Sequence, residues 1–353
     1  MTDNTAEYKK YDTQNICEAN ELLPEQVRVA WDGTRELKVP KSYSQVRNIV
    51  FIGMGGSGLG ADLIKGSIFS RLKVPFELFR GYNLPGYVDK NSLVILSSFS
   101  GSTEEVLHAS KVAKERGAKR FVIASGSKLA AYAKREKIPS YIFVPGELAK
   151  QPRLGLGFSV VGVLGFLQKA GLVKISAKEV KAMQEAMNDV VDSCAVDVHS
   201  KENPAKIVAE ALMQRAVLVV GAQHLTGNAH VLTNQINESG KQFAMYLTLP
   251  ELNHHFMEGL TYPKKFFSQF TVLMIKSKLY HPRVQKRFDI TAEVFENQGG
   301  DVVEYTANGE TLLEEMGELL QFGSFMSCYM AVLNKVDPYH IPFVDWFKEK
   351  MGK

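Results

Sequence analysis

Long apolar runs, paired cysteines and blocks of like charge are all missing from this chain of 353 residues. No apolar run reaches the roughly 18 residues a membrane span needs, which argues against a membrane helix. The three cysteines, Cys17, Cys194 and Cys328, are far apart and odd in number. They predict neither a disulfide framework nor a CxxC metal pair, and Cys328, in an apolar helical stretch, is expected in the core. The net charge is only +4, and no Lys/Arg block stands alone. That falls short of a nucleic-acid footprint and suits a small anionic metabolite. Basic residues such as those within Lys111–Arg120 read as a solvated helix face. The polar start, Met1-Thr2-Asp3-Asn4, lacks the charged-then-apolar pattern of a signal peptide, so a cytoplasmic location is expected.

What is present is a βαβα alternation with enough length for two full cores. A helical leader fills residues 1–45, with Ala19–Leu37 amphipathic and Pro40 closing it. Short apolar runs at Asn48–Ile52, Phe76–Arg80, Leu93–Leu96, Arg120–Ala124 and Tyr141–Val144 predict parallel strands alternating with helices. Ser159–Ala170 reads as a buried helix and Ala177–Val191 as an amphipathic one. A linker is expected near 195–204, dividing 46–195 from 196–353. The second part repeats the theme with strands at Ala216–Ala222, Phe270–Ile275 and Asp301–Tyr305. Helices are predicted there at Thr226–Met245, Arg283–Asn297 and Leu312–Val336.

Two strand-to-helix turns carry the chemistry. Gly53-Met54-Gly55-Gly56-Ser57-Gly58 matches a dinucleotide fingerprint by letter, but the acidic residue that should follow the next strand is replaced by Arg80 and Gly81. Ser97-Ser98-Phe99-Ser100-Gly101-Ser102-Thr103 places five hydroxyls in seven residues at a helix start. Short donors in that number suit a terminal phosphate; the plainer alternative is that the serines only cap the helix.

These turns, with Pro152-Arg153, Asn237-Glu238, Pro250-Glu251-Leu252-Asn253-His254 and the tail from Val336-Asp337-Pro338 to Lys348, resemble the sugar isomerase (SIS) domain, and more closely the bifunctional phosphoglucose/phosphomannose isomerase family. The resemblance spans about residues 46–350. It implies an α/β fold of two SIS subdomains, each a flavodoxin-like parallel sheet flanked by helices, and a homodimer. It also implies metal-independent interconversion of glucose 6-phosphate and mannose 6-phosphate with fructose 6-phosphate, with no cofactor. By the same resemblance Glu238 is the base, His254, donated across the dimer, opens the ring, and Lys348 and Arg153 steady developing charge. Gly55, Gly56 and Ser57 would line the sugar, and Ser98, Ser100 and Thr103 would hold the phosphate.

Read from the residues, Glu238 has apolar neighbours, Val231, Leu232 and Ile236, whose burial would tune a carboxylate upward, and Lys241 is the one basic partner within a helical turn. A metal at Glu251, His254, His255 and Glu258 would need helical spacing where Pro250–Phe256 reads as a loop. Ser102, His255, Ser324 and Tyr339-His340 depart from the family pattern, and the last pair would narrow the room around the sugar C2. The rival readings are an isomerase of another sugar phosphate within the same group, and a sugar-phosphate sensor without turnover. The sensor would need a DNA-binding segment, for which residues 1–45 offer no turn and few basic residues.

Overall fold

A computed structural model describes Asp3 and residues 5–352, so Met1, Thr2 and Asn4 of the polar start lie outside the described residues. The leader comprises α1 (Thr5–Tyr11), α2 (Ile16–Ala19) and α3 (Leu23–Arg35). The first half runs β1 (Asn48–Ile52), α4 (Gly56–Ile68), β2 (Phe76–Phe79), β3 (Ser92–Ser98), α5 (Glu104–Glu115), β4 (Lys119–Ala124), α6 (Ser127–Arg135), β5 (Ser140–Ile142), α7 (Leu156–Lys169) and α8 (Ala177–Cys194). The second half runs α9 (Pro204–Ala211), β6 (Ala216–Ala222), α10 (Thr226–Glu238), β7 (Ala244–Leu249), α11 (Leu252–His255), β8 (Phe270–Ser277), α12 (Pro282–Asn297), β9 (Asp301–Ala307), α13 (Leu312–Leu333) and α14 (Pro342–Lys350).

Both sheets are parallel throughout, in the order β2-β1-β3-β4-β5 and β7-β6-β8-β9. The strands alternate cleanly. Ile49, Phe51, Leu93, Ile95, Phe121 and Ile123 enter one core, while Val50, Ile52, Val94, Leu96, Val122 and Ala124 enter another on the opposite face. Two buried faces explain why these strands read as continuous apolar runs. In each sheet the strand order turns around at the first strand of the half, so a crevice opens beyond the carboxyl ends of β1 and β3. The two halves meet through α4 and α10, which approach closely: a Cβ on Gly227 would lie 2.3 Å from the Asp62 carbonyl oxygen. Asp62 also pairs with Arg80 and, at 3.0 Å, with His230, linking the residue after β2 to α4 and α10.

Three expectations need correction. Cys17 of α2 and Cys328 of α13 form a disulfide, with Cα atoms 5.6 Å apart and 311 positions between them in sequence. Spacing alone could not show that α13 passes under the leader; Cys194 is free and buried. The helix expected over Thr226–Met245 stops at Glu238, because Ser239-Gly240 break it and Lys241 takes a left-handed φ of 56°, after which β7 forms the sheet edge. Within the stretch read as a loop, Leu252–His255 makes one helical turn.

Candidate active site

The site is built at the crevice, from two turns of the first sheet. After β1 the chain passes Gly55, whose φ of 50° and ψ of −135° suit glycine, and enters α4 with Ser57 buried. The Ser57 hydroxyl accepts the Phe99 N–H at 2.8 Å, tying this turn to the loop after β3. In that loop Ser98 Oγ and Thr103 Oγ1 lie 2.8 Å apart, and Gly101 N–H donates to Ser98 Oγ at 3.0 Å. No side chain caps α5, so helix capping does not account for the hydroxyls. Gly101 has φ of 69°, and a Cβ there would lie 2.0 Å from the Gly126 carbonyl oxygen. The turn after β4 is thus part of the same structure: Ser125 Oγ donates to the Phe99 carbonyl at 2.6 Å, and Ser127 Oγ lies 2.7 Å from Ser102 Oγ. Ser125 and Ser127 are not among the residues expected from the sequence; their signal is a second strand end followed by Ser-Gly-Ser.

Arg153 stands in a short turn, Pro152–Leu154, pressed against α4, where a Cβ on Gly56 would lie 3.0 Å from the Pro152 carbonyl and 3.1 Å from the Arg153 nitrogen. Its side chain is 6% exposed. Nη2 donates to the carbonyls of Pro338 at 3.0 Å and Tyr339 at 2.6 Å, and Nη1 lies 3.5 Å from Glu238 Oε1. Burial lowers the pKa of the guanidinium from its usual height while Glu238 opposes the shift; arginine stays charged regardless.

Glu238, the last residue of α10, differs from its expected setting. Val231, Leu232 and Ile236 turn into the cores, whereas the Glu238 side chain is 32% exposed and faces Arg153. A residue on the polar stripe of a helix does not share the burial of its sequence neighbours. Lys241 does not reach the carboxylate; its ammonium donates to the backbone carbonyls of Glu238, at 2.6 Å, and His340. The Tyr339 ring packs against the core of the second half, so this residue offers Arg153 its carbonyl rather than its bulk.

Contacts link the glycine turn to the hydroxyl loop, through Ser57 and Phe99, and to Arg153 and Glu238, through Gly56, whereas two of the expected residues stand apart. His254 is exposed at the end of α11, and no hydrogen bond among the described residues joins it to Arg153 or Glu238. Lys348 lies on α14, exposed, 4.0 Å from Asp345. Asp345, on the same helix, acts electrostatically on Arg153. Among the described residues one group of three potential metal ligands converges, Asp12 with Cys17 and Cys328, and its sulfurs are bonded to each other.

Residues 42–141 match the SIS domain family, and residues 201–351 match the family described as the bacterial phospho-glucose isomerase C-terminal SIS domain. A hypothetical protein of known structure from Thermus thermophilus superposes with a TM-score of 0.74 over 96% of this chain and 90% of its own, at 18% identity, a likeness of fold. The bifunctional phosphoglucose/phosphomannose isomerase of Aquifex aeolicus is 29% identical over 89% of this chain and 93% of its own length. The protein of the same name from Caldicellulosiruptor bescii is 30% identical over 94% of this chain and 97% of its own. Two matched SIS halves, arranged around a crevice where Arg153 of one faces Glu238 of the other, and likeness along nearly the whole length mean that this chain belongs to the bifunctional phosphoglucose/phosphomannose isomerase family.

Proposed function

We propose that this chain interconverts glucose 6-phosphate, and mannose 6-phosphate, with fructose 6-phosphate through a cis-enediol. The observation that carries the reading is Arg153 Nη1 standing 3.5 Å from Glu238 Oε1, next to a glycine turn and a loop of hydroxyls. In the open-chain aldose the Glu238 carboxylate takes the proton from C2. The electron pair moves onto the C1 oxygen, where the Arg153 guanidinium stabilises the negative charge; the hydroxyl proton then passes from O2 to O1, and the carboxyl returns its proton to C1 as the carbonyl forms at C2. A carboxylate that reaches both carbons from one face serves either C2 epimer when the sugar turns about C2–C3. Ser98, Ser100 and Thr103 grip the phosphate, and Gly55, Gly56 and Ser57 line the sugar, so binding at the far end orients the carbons.

The reading includes a homodimer in which His254 of a second copy acts on the ring oxygen, supported by the exposure of His254 on α11. Lys348, exposed on α14, assists the same step. Domain limits of 46–195 and 196–353 after a leader of 1–45, and a cytoplasmic setting, belong to the same proposal. The test offers fructose 6-phosphate and quantifies both aldose products. Wild-type protein should form both, and Glu238→Gln should retain ligand binding with turnover reduced by at least about 1,000-fold, within the range for loss of an acid–base group. Full turnover by Glu238→Gln would remove the base from the mechanism.

A further inference from the structure

Glu238 is the final residue of its helix, and helix ends fray because their last carbonyls lack intrahelical partners. A general base needs the opposite, a fixed position. Lys241 supplies what the helix lacks. Its left-handed φ of 56° folds the chain back, and its ammonium donates to the Glu238 carbonyl at 2.6 Å. A second donor goes to the His340 carbonyl, in the strap between α13 and α14. The two preceding carbonyls of that strap, Pro338 and Tyr339, accept from Arg153, and Gln151 also donates to Tyr339, at 3.3 Å. Three consecutive strap carbonyls thus face two cations, and Glu238 lies between those cations. Asp337 anchors the strap, accepting from Tyr339 N–H at 2.7 Å and from the Thr13 hydroxyl at 2.6 Å.

We infer that Lys241 is a positioning residue for the isomerisation: it fixes Glu238 relative to Arg153 by fastening the end of α10 to the strap. The inference rests on the function proposed above. Lys241 touches no reacting atom in this scheme; it acts through Glu238. The charged groups around it are Arg153, Glu238 and Asp337, with Asp345 and His340 at the edge.

The experiment compares Lys241→Met, which keeps the stem and loses the charge and both donors, with Lys241→Arg, which keeps a cation. Misplacement of a catalytic group by about 1 Å is worth on the order of 100-fold. Lys241→Met should therefore lose about 10- to 100-fold in kcat while KM for fructose 6-phosphate stays within about threefold, because the phosphate grip lies on the other half. Lys241→Arg should recover part of the loss. A purely structural lysine would lower thermal stability and leave kcat of the folded variant unchanged, with nothing for Lys241→Arg to recover. If Lys241→Met is not recovered folded, Lys241→Gln is read by the same two measurements. Wild-type kcat in the folded variant overturns the inference. Absence of isomerase activity in wild-type protein overturns the underlying function instead, so the two failures are distinct.

Discussion

Arg153 joins three parts of the molecule: its planar group meets the strap carbonyls through Nη2 and Glu238 near Nη1, and its backbone lies against the glycine turn. An ammonium cannot reproduce that geometry. Arg153→Ala should lower kcat by about 100-fold, the scale for one lost charge-stabilising donor, with a smaller change in KM, and Arg153→Lys should restore little of it; steady-state kinetics decide. Glu318, outside the crevice, gives a pH test. Burial pushes its carboxyl above the usual range, against the pull of the Asn308 and Gly309 N–H groups and the Tyr305 hydroxyl. A folded-state value above the unfolded one means that the native protein holds this proton more tightly, so stability rises as pH falls through that window. Denaturant midpoints of wild type should therefore gain on those of Glu318→Gln between neutral pH and the ordinary carboxylate range; a constant gap would remove Glu318 as the source.

The turns after β1, β3 and β4 work as one element. Gly101 occupies a left-handed conformation with the Gly126 carbonyl against the place a Cβ would take, so no side chain fits without moving one turn off the other. Gly101→Ala should raise KM for fructose 6-phosphate by about tenfold or more, equivalent to roughly 1.4 kcal/mol of lost binding, and weaken inhibition by inorganic phosphate, with kcat less affected. An unchanged phosphate inhibition constant would show that this loop does not hold the anion. The hydroxyl run and the glycine turn were legible because a strand-to-helix turn is local: seven consecutive residues contain the whole signal. The partnership of Ser102 with Ser127 was not, since it depends on β4 lying beside β3. Nor was the setting of Glu238, because neighbours in sequence occupy different faces of α10.

On the scale of the whole chain, the Cys17–Cys328 disulfide fastens the leader to the long buried helix α13, close to where Thr13 holds the strap through Asp337. Cross-linking positions 311 apart restrains the unfolded chain strongly, by roughly 5 kcal/mol in the chain-entropy picture. Reduction, or the Cys17→Ser/Cys328→Ser double variant, should lower the melting temperature by about 5–10 °C. Identical melting curves for oxidised and reduced protein would show that the bond adds nothing to stability.

Periodicity and turn chemistry by themselves determined the alternation of strands and helices, the two crevice turns and the division into similar halves, because each of those signals fits within one element and its flanks. The tertiary structure alone decided which distant residues meet: Cys17 with Cys328, Arg153 with Glu238, Lys241 with the His340 carbonyl. Those meetings follow from the path of α10 and α13 between the halves, and a contact between residues from 85 to 311 positions apart leaves no pattern in the residues between them.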